Sequence, residues 1–350
     1  GLQIELSKIA LSKLVSPNLS IIPVNVNKIL LTPSPSHLIR TKYARIQSMK
    51  QISVNIVSET VFTVRGHGVH TAYKEHLEAL KKYTPYKVVT NSKKASDIVH
   101  AHTIGPYSWH KFRLARHGSV MHAHVTPDSF IGSLRAAKLW APAARAYLRW
   151  IYNMADVVVC VSPQVKQELT DLGVHSHKVV IPNMIELSNF NRPLASKLSA
   201  LRTQFSIPEN KPCIISSGQV QPRKGAQDFI ELAKNSPEYH FLWIGGIPFG
   251  NLGEKTADMK SLMKNAPANV TFTGVVELDI ARQLYHLGAV FWLASYQETF
   301  GLVVIAAAAC GLPIILRDLP VYKDIFKKSY MTANSNKECK KHITSVLSNT

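Results

Sequence analysis

The sequence predicts an α/β protein made of two Rossmann-like parallel-sheet domains facing a central cleft. Short β-branched runs alternate with longer helix-patterned stretches. The alternation breaks once and then restarts. The 350 residues exceed one ordinary core and suit two domains of about 100–200 residues each. Hydrophobic residues make up 46% and charged residues 18%, a globular rather than a disordered balance. No apolar run approaches the roughly 20 residues of a membrane-spanning helix, and the N-terminus lacks the long apolar stretch of a signal peptide.

Residues 1–48 read as an N-terminal extension outside the folded domains. They hold one acidic residue, Glu5, many Ser, Leu and Lys, and the turn-prone Pro33-Ser34-Pro35. A targeting segment is the second reading, because transit peptides are acid-poor and Ser-rich. Met49 opens Met-Lys-Gln-Ile-Ser-Val-Asn-Ile-Val-Ser, the form of a start followed at once by a strand. Residues 49–185 make the first domain. Strands are expected at 52–58, 97–102, 118–124, 156–161 and 178–182, with helices at 68–82, 130–153 and 163–173. That order is the βαβ grammar of a parallel sheet covered on both faces. Asn183, Asn189, Asn191 and Pro193 then break the rhythm, and 186–200 is expected to be a linker. The second domain, 201–335, repeats the grammar. Its strands are expected at 212–217, 240–245, 269–275, 289–294 and 313–316, and its helices near 225–236, 256–265, 278–287 and 301–310. Residues 336–350 would be a truncated C-terminal helix. Ligands bind beyond the carboxyl ends of such strands, so the cleft between the domains is the expected site.

Basic residues outnumber acidic ones by 41 to 22, a net charge of +19. Such a field favours an anionic partner. Nucleic acid, an acidic membrane surface and a phosphorylated substrate all qualify on charge alone. The four cysteines, Cys160, Cys213, Cys310 and Cys339, show no C-x-x-C or zinc spacing. Buried free thiols in a reducing compartment are expected.

Four segments carry candidate chemistry. Ser295 to Pro313 runs from a strand end, through a loop with Glu298, into a helix opening near Gly301 and closed by Gly311-Leu-Pro313. Its opening offers backbone N–H groups and the positive end of the helix dipole, which suit a diphosphate. Gly301 would allow close backbone approach; a plain turn with a surface Glu is the alternative. Ser217-Gly-Gln-Val-Gln-Pro-Arg-Lys-Gly225 would set Arg223 and Lys224 over phosphates from the opposite side; a solvated basic turn is the alternative. Arg65-Gly-His-Gly-Val-His-Thr71 brings Gly66 and Gly68 after strand one, a weak signal alone. No acidic residue ends a second strand near position 90 to hold a ribose, which counts against NAD. Finally, His100 and His102, and His122 and His124, form two H-x-H pairs that each share a strand face. No third-ligand pattern accompanies them, so polar strand ends at the cleft mouth are expected and no metal ligand is assigned.

Taken in order, the segments resemble glycosyltransferase family 4, the retaining GT-B enzymes once called group 1. The resemblance rests on the Gly-rich loop after strand one, Asp97-Ile-Val-His-Ala-His102, the later strand ending in His, Ala155-Asp-Val-Val-Val-Cys-Val-Ser162 and Val180-Ile-Pro-Asn-Met184. It continues through Gly218–Gly225, Trp243-Ile-Gly-Gly246, Phe272-Thr-Gly274 and Glu298-Thr-Phe-Gly-Leu-Val303, so it spans about 52 to 320. It implies a GT-B fold and transfer of a sugar from a nucleoside diphosphate-sugar with retention, a UDP-sugar before a GDP-sugar. No cofactor or metal is implied where cations and amides carry the diphosphate. By the same resemblance, Glu298 would contact the donor sugar and His124, with His122 in reserve, would stand near it. Gly68, Gly218, Arg223, Lys224 and the amides of Phe300, Gly301 and Leu302 would bind the donor.

Three positions depart from the pattern. The second Glu of Glu-x7-Glu is Ala306, a loss of ribose contact that points to impaired activity. The Arg of Gly-Arg-Leu is Gln219. Thr350 precedes the final helices that in the family cross back to the first domain, so weaker domain coupling is expected. Arg135, Lys138, Arg145 and Arg149 fall within about 80° of one another on a helix, while Trp140, Tyr147, Trp150 and Ile151 lie elsewhere on it. Pro142 would kink that helix. A basic helix plus the overall charge suggests docking on an anionic membrane surface and a lipid acceptor, with the chain cytoplasmic and peripheral on the inner membrane face. A solvated basic face is the alternative. A basic nucleic-acid-binding protein is the alternative function that the charge leaves open, but no nucleic-acid partner is expected, since no recognisable binding module is present.

Overall fold

The computed structural model describes residues 51–348, apart from 63–67, 131–136, 248–255 and 328. The expected extension at 1–48 and Gly66 lie outside the described residues. Two parallel six-stranded sheets organise the rest.

The first sheet has the order β2-β1-β3-β4-β5-β6. Its strands are β1 (Ser53–Val57), β2 (Lys87–Thr90), β3 (Ser96–Ala101), β4 (Ala115–Ala123), β5 (Val157–Cys160) and β6 (His177–Val180). Helices α1 (Gly68–Tyr83), α2 (Pro106–Phe112), α3 (Ala137–Asn153) and α4 (Pro163–Asp171) connect them. β1 and β5 are buried almost throughout, as a sheet covered on both faces requires. Helix α3 continues through Pro142.

Two Ser–Asp clasps tie neighbouring strands of this sheet in register. The Ser53 N–H and Oγ–H both donate to Asp97 Oδ2, at 2.8 and 2.6 Å, and the Asp97 N–H returns to Ser53 Oγ at 2.9 Å. Ser119 and Asp156 repeat the arrangement between β4 and β5, at 2.9, 3.0 and 3.1 Å.

The second sheet has the order β12-β11-β10-β7-β8-β9. It comprises β7 (Cys213–Ser217), β8 (His240–Ile244), β9 (Val270–Phe272), β10 (Val290–Leu293), β11 (Ile314–Leu316) and β12 (Met331–Thr332). Around it pack α5 (Ala195–Gln204), α6 (Ala226–Lys234), α7 (Thr256–Lys264), α8 (Leu278–Leu284), α9 (Leu302–Ala309), α10 (Pro320–Phe326) and α11 (Asn336–Leu347). Residues 186–200 hold a 3-10 turn, Leu187–Phe190, and the first half of α5. Phe190, Leu198 and Leu201 are buried in the second core, so apolar burial makes this stretch part of the second layer. Cys160, Cys213 and Cys339 are buried free thiols, and Cys310 is only partly buried. Burial pushes the Cys160 and Cys213 thiols up to about 12.

Candidate active site

β10 delivers the chain to Ser295, and the loop 295–301 then turns back into α9. Gly301 caps α9 at φ 92°, a left-handed conformation that costs any residue with a Cβ. Phe300, Gly301, Leu302 and Val303, at the start of α9, line the space between the sheets, and the opening turn of a helix carries N–H groups without intrahelical partners. After β7, a 3-10 turn at Pro222–Lys224 carries two cations and ends at Gly225, φ 73°. A Cβ on Gly225 would overlap the Ala294 carbonyl oxygen, so the two loops are pressed together. The Tyr296 N–H donates to the Arg223 carbonyl at 2.8 Å, and Arg223 Nη1 donates to the Gln297 carbonyl at 3.3 Å.

Glu298 is buried. Lys224 Nζ donates to its Oε1, and the Ser295 hydroxyl donates to the same oxygen at 2.8 Å. Burial alone would push the Glu298 carboxyl up. Lys224 and Arg223 outweigh it and hold the group below the usual carboxylate range. The result is an ionised carboxylate fixed between two cations at the mouth of a helix dipole.

The first sheet supplies the opposite wall. α1 begins at Gly68, where an added Cβ would meet nothing within 4 Å, and contributes His70, Lys74 and Glu75. His124 follows the end of β4, and the Thr299 hydroxyl reaches its carbonyl oxygen at 3.5 Å. One cavity of about 640 Å³ lies between the walls. It is lined by all ten residues assigned from the sequence: Gly68, His124, Gly218, Arg223, Lys224, Glu298, Phe300, Gly301, Leu302 and Ala306. His122, the reserve for His124, does not line it. His100, His102 and His122 are buried on the sheet instead of standing at the cleft mouth, because α1 covers that face.

Two features were not assigned from the sequence. Arg282 of α8 donates to Glu75 of α1 at 2.6 Å, a buried ion pair joining the two halves. The partners are 207 positions apart, so no local pattern could have signalled them. Glu75 also accepts from the Glu186 N–H at 3.0 Å. The second feature is the Phe300 side chain. Expected for its amide, it also places its ring in the core of the first sheet, beside residues such as Val57, Ala123 and Leu148. Leu302, Ile305 and Ile325 pack against the same cluster. The two halves are therefore coupled directly, against the expectation of weak coupling.

Two family models divide the chain. Residues 57–189 match Glycosyltransferase Family 4, and residues 199–350 match Glycosyl transferases group 1. The alpha-galactosylglucosyldiacylglycerol synthase of Streptococcus pneumoniae is 32% identical over 309 residues, 87% of this chain and 82% of that protein. The chain belongs to glycosyltransferase family 4. The processive diacylglycerol alpha-glucosyltransferase of Acholeplasma laidlawii is 28% identical, covering 85% of this glycosyltransferase and 88% of the relative. Among solved structures, HepE of Anabaena in complex with UDP-glucose superposes with a TM-score of 0.65 at 17% identity, over 85% of this chain and 90% of that one. Sucrose-phosphate synthase of Thermosynechococcus elongatus gives 0.67 at 17% identity with the same coverage. These likenesses establish the GT-B fold of this glycosyltransferase.

Its helix α3 buries Leu148, Ile151 and Tyr152 and exposes Arg145 and Arg149. Leu139, 85% exposed, and Trp150, 47% exposed, lie on the same helix. Arg135 and the side chain of Lys138 lie outside the described residues. Among the described residues, no helix is long and apolar enough to cross a membrane.

Proposed function

We propose that the chain transfers a sugar from a UDP-sugar to a diacylglycerol-based lipid, with retention of configuration and without a metal at the diphosphate. One observation carries the reading: Lys224, Arg223, Glu298 and the α9 amides meet His124 and Gly68 across a single cavity. As the bond from the anomeric carbon to the phosphate oxygen loosens, negative charge grows on the leaving diphosphate. Lys224, Arg223 and the helix amides are preorganised to receive it. The acceptor hydroxyl oxygen bonds the anomeric carbon on the face the diphosphate leaves, and its proton passes to the departing phosphate. The names of the two relatives support a glyceroglycolipid acceptor.

Ala306 lines the cavity from α9 and supports a second reading, a transferase weakened in donor binding. A carboxylate there can accept from two vicinal ribose hydroxyls, whereas a methyl accepts from none. Ala306→Glu should tighten UDP-sugar binding roughly 10- to 150-fold, the value of about 1.5–3 kcal/mol for bonds to a charged group. Calorimetry with the UDP-sugar and with an analogue lacking the ribose hydroxyls checks this. Equal affinity in a folded variant would remove the ribose role from position 306.

Exposed Arg145 and Arg149 beside Trp150 support docking of α3 on an anionic leaflet, as a peripheral protein on the inner face. Each basic residue near such a surface contributes about 1 kcal/mol. Arg145→Gln with Arg149→Gln should weaken binding to phosphatidylglycerol vesicles roughly 30-fold and leave UDP binding unchanged. Undiminished sedimentation with vesicles would favour a merely solvated face.

A further inference from the structure

The histidines behind the cleft form a cluster that sugar transfer does not use. β3 presents His100 and places His102 just past its end, on one face, while β4 presents His122. The intervening Ala101, Met121 and Ala123 face the opposite core. α1 lays His76 over the same face. His100 and His122 stack with ring centroids 5.5 Å apart, His102 and His122 at 4.7 Å, and His76 meets His100 at 4.7 Å. One ring nitrogen from each of the four lies within 4.8 Å of the others.

We propose that His76, His100, His102 and His122 form a binding site for a divalent transition-metal ion of the zinc class. Imidazole nitrogen is a preferred donor for such ions. A tetrahedral ion with bonds of about 2.0–2.1 Å needs ligand atoms roughly 3.4 Å apart. The present nitrogens, within 4.8 Å of one another, would close by about an ångström to reach that geometry. A small cavity of about 20 Å³ is lined by His76, His100 and His122, room for one ion or one water. Both ring nitrogens of buried His122 and Nε2 of His100 have no hydrogen-bond partner among the described residues. Buried polar atoms are rarely left so, and an ion would take up those lone pairs. The ligands come from α1, β3 and β4, so the ion would pin the helix that starts at Gly68 onto the sheet that ends at His124.

The site also reaches the transfer centre. His102 Nε2 lies 2.8 Å from His76 Nδ1, and His102 Nδ1 lies 3.1 Å from His124 Nε2. With Nε2 of His102 on the ion, its Nδ1–H donates to His124 and fixes the tautomer of that ring, the usual arrangement behind a metal-bound imidazole. His102 would then be a positioning residue for His124.

The test uses the untagged full chain, stripped with a chelator and titrated with Zn2+ by calorimetry and with Co2+ by absorption. One ion per chain is expected, with the intense d–d bands of four-coordinate Co2+. His100→Asn combined with His122→Asn should lower Zn2+ affinity roughly 100-fold or more and erase the bands, since loss of even an outer partner costs 10- to 100-fold. His76→Asn, on a partly exposed helix position, should weaken binding with an unchanged far-UV dichroism spectrum, which separates ligand loss from misfolding. A wild-type chain that takes up no stoichiometric ion, or a folded His76→Asn chain with wild-type affinity and bands, would overturn the site and leave a water-filled histidine cluster.

Discussion

Lys224→Ala should lower UDP affinity roughly 10- to 150-fold, the worth of a charge-assisted contact of about 1.5–3 kcal/mol, and should also destabilise the fold. The second effect follows from the environment of Glu298. Its carboxylate is buried and held ionised by Lys224, Arg223 and Ser295. Breaking a buried pair on one side leaves the other charge under-compensated, at a cost of up to about 3–5 kcal/mol, which Arg223 and Ser295 reduce here. Removing both groups is less damaging, because no buried carboxylate is left short of its lysine and Arg223 keeps its bond to the Gln297 carbonyl. Lys224→Met with Glu298→Gln should therefore recover most of the urea stability lost in Lys224→Ala, yet bind UDP no better than that variant. Calorimetry and denaturation on the same three proteins separate the roles. Wild-type UDP affinity in Lys224→Ala would take the lysine out of the donor site.

Phe300→Ala should cost a comparable amount, about 3–5 kcal/mol, but by another route. Its ring belongs to the core of the first sheet although its backbone belongs to the 295–301 loop of the second. Truncation leaves a void in one half and frees the other to swing away. The Arg282–Glu75 pair would then face water and lose most of its strength. The expected result is a lower urea midpoint together with a larger radius of gyration in small-angle scattering. Phe300→Leu should retain most of both properties, since it keeps an apolar side chain in the pocket. Unchanged stability and size in the alanine variant would show that the ring does not hold the halves together.

Strands with β-branched runs were legible because a buried parallel strand leaves almost no choice of residue. β2 was not: Lys87 and Thr90 are exposed at a sheet edge, and the run lacks both length and alternation. α5 was hidden by the Asn and Pro residues before it, which marked a linker although Leu198 and Leu201 are core. That the loops at 217–225 and 295–301 line one cavity was legible because their glycines, cations and carboxylate lie within a few positions of one another. Pairings between distant positions were not. Glu75 reads as an ordinary helix surface residue until Arg282 is brought against it, and His76 carries no ligand spacing toward His100 or His122.

The Ser53–Asp97 and Ser119–Asp156 clasps tie β1 to β3 and β4 to the start of β5, upstream of His100, His102, His122 and His124. They act as a zero mark for the sheet. Side chains alternate with period two, so a slip of one residue in β3 or β4 would turn every histidine on that strand to the opposite face. It would bring Ala101, Met121 and Ala123 up beneath α1. Two hydroxyl–carboxylate pairs upstream of the histidines thus decide which face of the sheet the imidazoles take, and with it whether His124 reaches the cavity.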